Sequence, residues 1–92
     1  MKRDKAYIFG EIVDIYPVQK FESGFQKRKF VLRTTGDYSQ DLLFELHHDK
    51  ADIIESYQEG DFIKVFYDIK GNQGKDGKHY TNLIAWRLEF VG

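Results

Sequence analysis

Residues 41–70, DLLFELHHDKADIIESYQEGDFIKVFYDIK, decide the fold. Leu42, Phe44 and Leu46 alternate with their neighbours, the period of a strand with one face in a core. From Asp49 to Tyr57 the period changes. Ile53, Ile54 and Tyr57 form one short apolar face, Asp49 is placed to cap the start, and Gly60 is placed to end the segment. Alternation resumes from Asp61 to Lys70: Ile63, Val65, Tyr67 and Ile69 share one face, with Phe62 and Phe66 on the other. The stretch therefore reads as a strand, a single helix and a second strand.

Working outward, Tyr7 to Val18 reads as a first strand. Ile8, Gly10 and Ile12 alternate, then the phase slips so that Ile15 joins the apolar set. A slip beside a glycine predicts a coiled strand with a bulge. Pro17 sits near its end, where a lost N–H is tolerable. Gln26 to Thr35 is the second strand, with Phe30 and Leu32 on one face and Lys27, Lys29, Val31 and Arg33 on the other. Tyr80 to Val91 is the last. The joining segments are Lys20 to Phe25, Gly36 to Gln40, and Gly71 to His79. The last of these holds Gly71, Gly74 and Gly77 and reads as a long mobile hairpin loop. The expected class is all-β with one short helix: a five-stranded barrel of OB-fold order, with the helix between strands 3 and 4. Closing such a sheet hides the edges that separate hairpins would expose. An SH3-like barrel is the structural competitor.

A chain of 92 residues is enough for one domain, spanning 1–92, and too short for two. It has no Cys, which excludes disulfides and thiolate metal sites. No apolar run reaches the roughly 18 residues of a membrane span. The charged start Met1 to Lys5 has no signal-type stretch behind it, so a cytoplasmic protein is expected. Eight Phe, six Tyr and one Trp suit a compact β core, a stacking surface, or both. The net charge of −1 argues against a strongly basic binder, yet the charge is blocked: residues 1–35 carry +4, residues 36–69 carry −7 and residues 70–92 carry +2. Two basic segments bracket an acidic one, and folding could gather them on one face.

Three constellations bear on function. On the second strand Lys27, Lys29 and Arg33 fall on one face, a stripe suited to phosphates; Phe25 at its entry could stack on a base, and Lys20 and Arg28 add charge nearby. The bland alternative is a solvated strand face. The second is Lys70, Lys75, Lys78, His79 and Tyr80, a basic glycine-punctuated arm with a ring at its base, or else an ordinary polar hairpin. No Gly-Lys-Ser/Thr pattern makes it a nucleotide loop. The third is Trp86 with Arg87. A lone Trp in so small a barrel is more often packing than platform, and Arg87 is expected to face the other way. His47 and His48, adjacent on a strand, should point to opposite faces and chelate poorly, so no metal or other cofactor is expected. The acidic residues Asp49, Asp52, Glu55, Glu59 and Asp61 lack calcium-loop spacing and read as a solvated helix face or a partner surface. No Ser/His/Asp pattern, thiol or paired carboxylate suggests an enzyme.

The segments Phe25 to Thr34, Leu43-Phe-Glu-Leu46 with Asp49-Lys-Ala-Asp52, Glu59-Gly-Asp61, and Gly77-Lys-His-Tyr-Thr-Asn82 with Ala85-Trp86 resemble a family of small bacterial and phage proteins with a domain of unknown function. That family is similar to OB-fold single-stranded-DNA-binding proteins. The family pattern has Trp where this chain has Phe25 and His47; Phe25 keeps a ring, and His47 is a poorer platform. The resemblance implies single-stranded DNA binding in replication, recombination or repair.

The expected function is non-catalytic binding of single-stranded nucleic acid, DNA before RNA. Lys20, Lys27, Lys29, Arg33, Lys70, Lys75 and Lys78 would meet phosphates, and Phe25, Tyr80 and Trp86 would meet bases. The alternative is a protein-interaction or homo-oligomerisation module, with Phe62 and Phe66 as a contact patch. No membrane partner is expected.

Overall fold

The computed structural model describes residues 6–91. Lys2, Arg3 and Lys5, part of the basic N-terminal block, lie outside the described residues. The elements are β1 (Ala6–Ile15), β2 (Gln19–Lys20), β3 (Gln26–Thr34), β4 (Asp41–His47), a 3₁₀ helix (His48–Ser56), β5 (Phe62–Gln73) and β6 (His79–Phe90). The sheet runs β1-β5-β6-β4-β3-β2, and a further β1–β3 pairing closes five of the strands into a ring. β4 and β6 pair in parallel through Phe44 opposite Leu83 and Glu45 opposite Ile84; the other pairings are antiparallel. This is the OB arrangement expected from the element order, with a two-residue strand added beside β3.

Closure depends on β1 serving two neighbours. Ala6 to Glu11 pair with β5, while Gly10 to Ile15 pair with β3. The register slips between Ile12 and Asp14, which is the bulge the phase slip predicts. At the crossing, a Cβ on Gly10 would lie 2.5 Å from the Arg33 carbonyl oxygen and 2.8 Å from Leu32 Cγ. Only glycine permits that approach.

The core is Ile12, Phe30, Leu32, Phe44, Leu46, Ile54, Ile63, Val65 and Ala85, all buried, with Phe30 stacked on Phe44. The helix plugs one end of the barrel. It buries Ala51 and Ile54, with Ile53 and Tyr57 half-covered. Burial also raises the Tyr57 hydroxyl above its ordinary pKa.

Several expectations need correction. Asp49 does not cap the helix: His47 holds the cap position and makes no side-chain cap bond. β1 ends at Ile15, so Pro17 lies beyond it. Ile69 sits on the face assigned to the core but is 66% exposed, because β5 outruns the barrel there. For the same reason Gly71 to His79 is not a long loop. The β5–β6 ladder continues to Gln73 opposite His79, and only Gly74 to Lys78 turn.

Candidate nucleic-acid interface

β3 and β4 lie in register with Lys27 opposite His47, Lys29 opposite Glu45, Val31 opposite Leu43 and Arg33 opposite Asp41. Phe30, Leu32, Phe44 and Leu46 point inward, so strict alternation turns those four pairs outward. The predicted stripe therefore exists, but acids share it. Arg33 donates through Nε to Asp41 Oδ1 at 2.8 Å and through Nη2 to Oδ2 at 3.1 Å. These bonds hold the Asp41 carboxyl below the usual carboxylate range and raise the guanidinium. Lys27 Nζ lies 3.8 Å from Glu45 Oε1, which is also 2.9 Å from His47 Nε2. Lys29 makes no ion pair among the described residues and is the stripe's available cation. Arg28 is spent on structure: its Nε donates to the Tyr16 carbonyl at 2.9 Å, and its Nη1 pairs with Glu55 on the helix.

The face is bounded at both ends. At the Lys27 end, Gln19 pairs with Lys27 and Lys20 with Gln26, and the turn closes through Phe21 N–H to Phe25 O. Lys20 is exposed there. Phe25 is half-buried among the rings of Phe21, His47 and His48, with centroids at 5.5, 5.3 and 4.7 Å. His47 and His48 reach the same ring because His48 takes a left-handed backbone, φ 56°, as the chain leaves β4. The expectation of opposite faces fails on that turn.

At the other end, the parallel β4–β6 register carries the β5–β6 arm past the Asp41 end of β4. Lys70, Lys75 and Lys78 are exposed on it, and none makes an ion pair among the described residues. Tyr80 is 46% exposed, donates its hydroxyl to Asp76 Oδ2 at 2.7 Å, and packs over Gly74. Asp76 also accepts the Lys78 backbone N–H at 2.9 Å. That bond first, and Tyr80 second, lower the Asp76 pKa; the same contact raises Tyr80.

Trp86 belongs to a different face. It is half-buried, 5.4 Å from the Phe66 ring, and lines a hollow with Lys50 and Tyr57. Arg87 lies directly opposite Phe66 and reaches its ring at 5.7 Å, and the β5–β6 register slip at Trp86 turns the indole to the same ring, so the two do not face opposite ways. Phe66 is itself buried and Phe62 half-buried, so they are not the exposed pair expected. The exposed rings nearby are Tyr7 and Phe9, with Lys64 Nζ 4.1 Å from the Tyr7 centroid.

Two residues of the β3–β4 side escape the sequence reading. Leu43 is 47% and Tyr16 42% exposed. Leu43 is detectable: the alternation that buries Phe44 turns an apolar side chain outward at 43. Nothing in the periodicity marks Tyr16, which follows the bulge.

Among the described residues no helix is long and apolar enough to cross a membrane. A family described as Domain of unknown function (DUF3127) matches residues 7–89. Comparison with curated proteins gives no match. Solved structures share the fold at low identity. A mitochondrial single-stranded DNA binding protein from S. cerevisiae superposes with a TM-score of 0.78 at 11% identity, covering 96% of this chain and 95% of that one. A single-stranded DNA binding protein from Thermus aquaticus gives 0.74 at 15%, covering 96% of this chain and 40% of that one. The protein PriB from Ralstonia solanacearum gives 0.77 at 9%, covering 99% and 100%.

Proposed function

We propose, from the premise that this chain belongs to the DUF3127 family, that it binds single-stranded nucleic acid, DNA before RNA, without catalysis. The strand lies across the outer face of β3 and β4, between the β2 turn and the β5–β6 arm. One observation carries this reading: Lys20, Lys29, Lys70, Lys75 and Lys78, on that face or bounding it, make no ion pair among the described residues, although the chain has a net charge of −1. Unneutralised ammonium groups release condensed counterions when they meet phosphates. Tyr80, fixed by Asp76, supplies a ring that is already ordered. The yeast mitochondrial and Thermus aquaticus relatives are single-stranded DNA binding proteins, which fits the same reading.

The test is fluorescence anisotropy with labelled single-stranded and duplex oligonucleotides at several salt concentrations. Single strands should bind more tightly, with a log–log salt slope of roughly −0.7 per neutralised phosphate. Joint replacement Lys27→Glu and Lys29→Glu should greatly weaken binding and leave the thermal midpoint nearly unchanged. Intact binding in that variant would remove the face from consideration.

Self-association is a second reading with its own observation. Ala6 to Phe9 pair only with β5 among the described strands, leaving one edge of β1 open beside the exposed Tyr7 and Phe9. Light scattering on a size-exclusion column tests it, and a monomer at all concentrations rejects it.

A further inference from the structure

Beside Lys29 the surface carries a hollow of about 450 Å³, lined by Tyr16, Pro17, Val18, Gln19, Leu43 and Lys29. Its size falls in the range of small-ligand sites. Its walls are fixed. The Tyr16 N–H donates to the Lys29 carbonyl at 3.0 Å, Arg28 Nε donates to the Tyr16 carbonyl, and Gln19 is held by its pairing with Lys27. Leu43 and Tyr16 stay exposed beside it, an arrangement that costs free energy unless something apolar covers them.

We infer that this hollow receives one nucleobase of the bound strand, with the Lys29 ammonium on an adjoining phosphate. The inference rests on the single-strand reading and adds a base site to it. Charge selects the occupant: a flat apolar ring that carries an anion on its tether satisfies both the uncovered Leu43 and the unpaired Lys29. An apolar side chain of a partner protein would satisfy only the first. The walls are pre-formed, so little ordering entropy opposes entry.

The experiment uses anisotropy with a short labelled oligothymidylate and with an abasic oligonucleotide of the same length, on the wild type, Leu43→Ser and Lys29→Gln. Leu43 is on the surface, so Leu43→Ser should keep the wild-type circular dichroism and melting curve. It should weaken thymidylate binding about tenfold, within the range for losing one base contact, and leave the salt slope unchanged. Lys29→Gln should instead flatten the slope by about 0.7. The abasic strand should bind Leu43→Ser and wild type alike. Wild-type affinity of Leu43→Ser for thymidylate would overturn the base site, as would an equal loss on the abasic strand. No wild-type binding to either strand at low salt would instead overturn the single-strand reading.

Discussion

Arg33 and Asp41 face each other across β3 and β4, joined by two parallel hydrogen bonds of 2.8 and 3.1 Å. The pair is exposed, and exposed pairs contribute little to stability. Removing the carboxylate therefore costs little stability and frees the Arg33 guanidinium, which Asp41 otherwise occupies, for a phosphate. Asp41→Asn should strengthen single-strand binding and steepen the salt slope by about 0.7, the increment for one more phosphate contact. Anisotropy across a salt series checks this; an unchanged slope would place Arg33 outside the strand's path.

Gly10 governs barrel closure. Gly10→Ala pushes a methyl group to 2.5 Å from the Arg33 carbonyl, with Leu32 Cγ at 2.8 Å. Neither is the free end of a flexible chain, so β1 and β3 must part. Overpacking of this kind costs about 1–3 kcal/mol. For a domain of this size each kcal/mol lowers the melting temperature by roughly 4–8 °C. Calorimetry on Gly10→Ala measures it, and an unshifted midpoint would show that the crossing is looser than described.

The five barrel strands and their order were legible chiefly from periodicity, whereas β2, two residues long, is too short to show one. Alternation around Phe44 and Val65, and the slip after Gly10, are local signals of a pleated chain. The site was only half legible. Spacing placed Lys27, Lys29 and Arg33 on one face, but which of them an acid occupies depends on the β3–β4 register. That register sets Asp41 beside Arg33 and Glu45 opposite Lys29, yet the Glu45 carboxylate turns to Lys27 and His47 and leaves Lys29 with no ion pair among the described residues. Local rules also failed where the chain leaves its period. His48 turns left-handed and brings its ring beside that of His47, and the β5–β6 slip lets Trp86 and Arg87 share Phe66. The glycine content of residues 71–79 suggested a loop, yet the ladder extends because glycine weakens a strand without forbidding it.

The Asp76–Tyr80 contact makes the arm tip sensitive to pH. Asp76 has a lowered folded pKa, so its contribution to order is complete above the free carboxylate value, about 3.9, and is lost as pH falls through the lowered value. Tyr80 has a raised pKa, so its contribution is complete below about 10 and is lost as pH rises through the raised value. A carboxyl NMR titration should therefore place the Asp76 midpoint below that of free aspartate. Asp76→Asn should shift the Tyr80 absorbance titration down toward free tyrosine. A Tyr80 titration unmoved in that variant would mean the hydroxyl is held elsewhere.

The arm's three lysines should act as a group, because one ordered backbone segment carries them. The β5–β6 ladder runs to Gln73 opposite His79, so Lys70 is held on a paired strand, and the turn carrying Lys75 and Lys78 is closed by Gly74 N–H to Lys78 O and Gly77 N–H to Gly74 O. The arm's backbone need not be ordered on binding, so only side-chain freedom is lost when each lysine meets a phosphate. Replacing Lys70, Lys75 and Lys78 together by Gln should flatten the salt slope by about 2, three increments of about 0.7. The three side chains are exposed, so melting should be unaffected. Binding at low salt should weaken strongly while the effect of Leu43→Ser persists on top of it, since base and phosphate contacts are separate. A slope equal to that of the wild type would mean that the strand does not reach the arm.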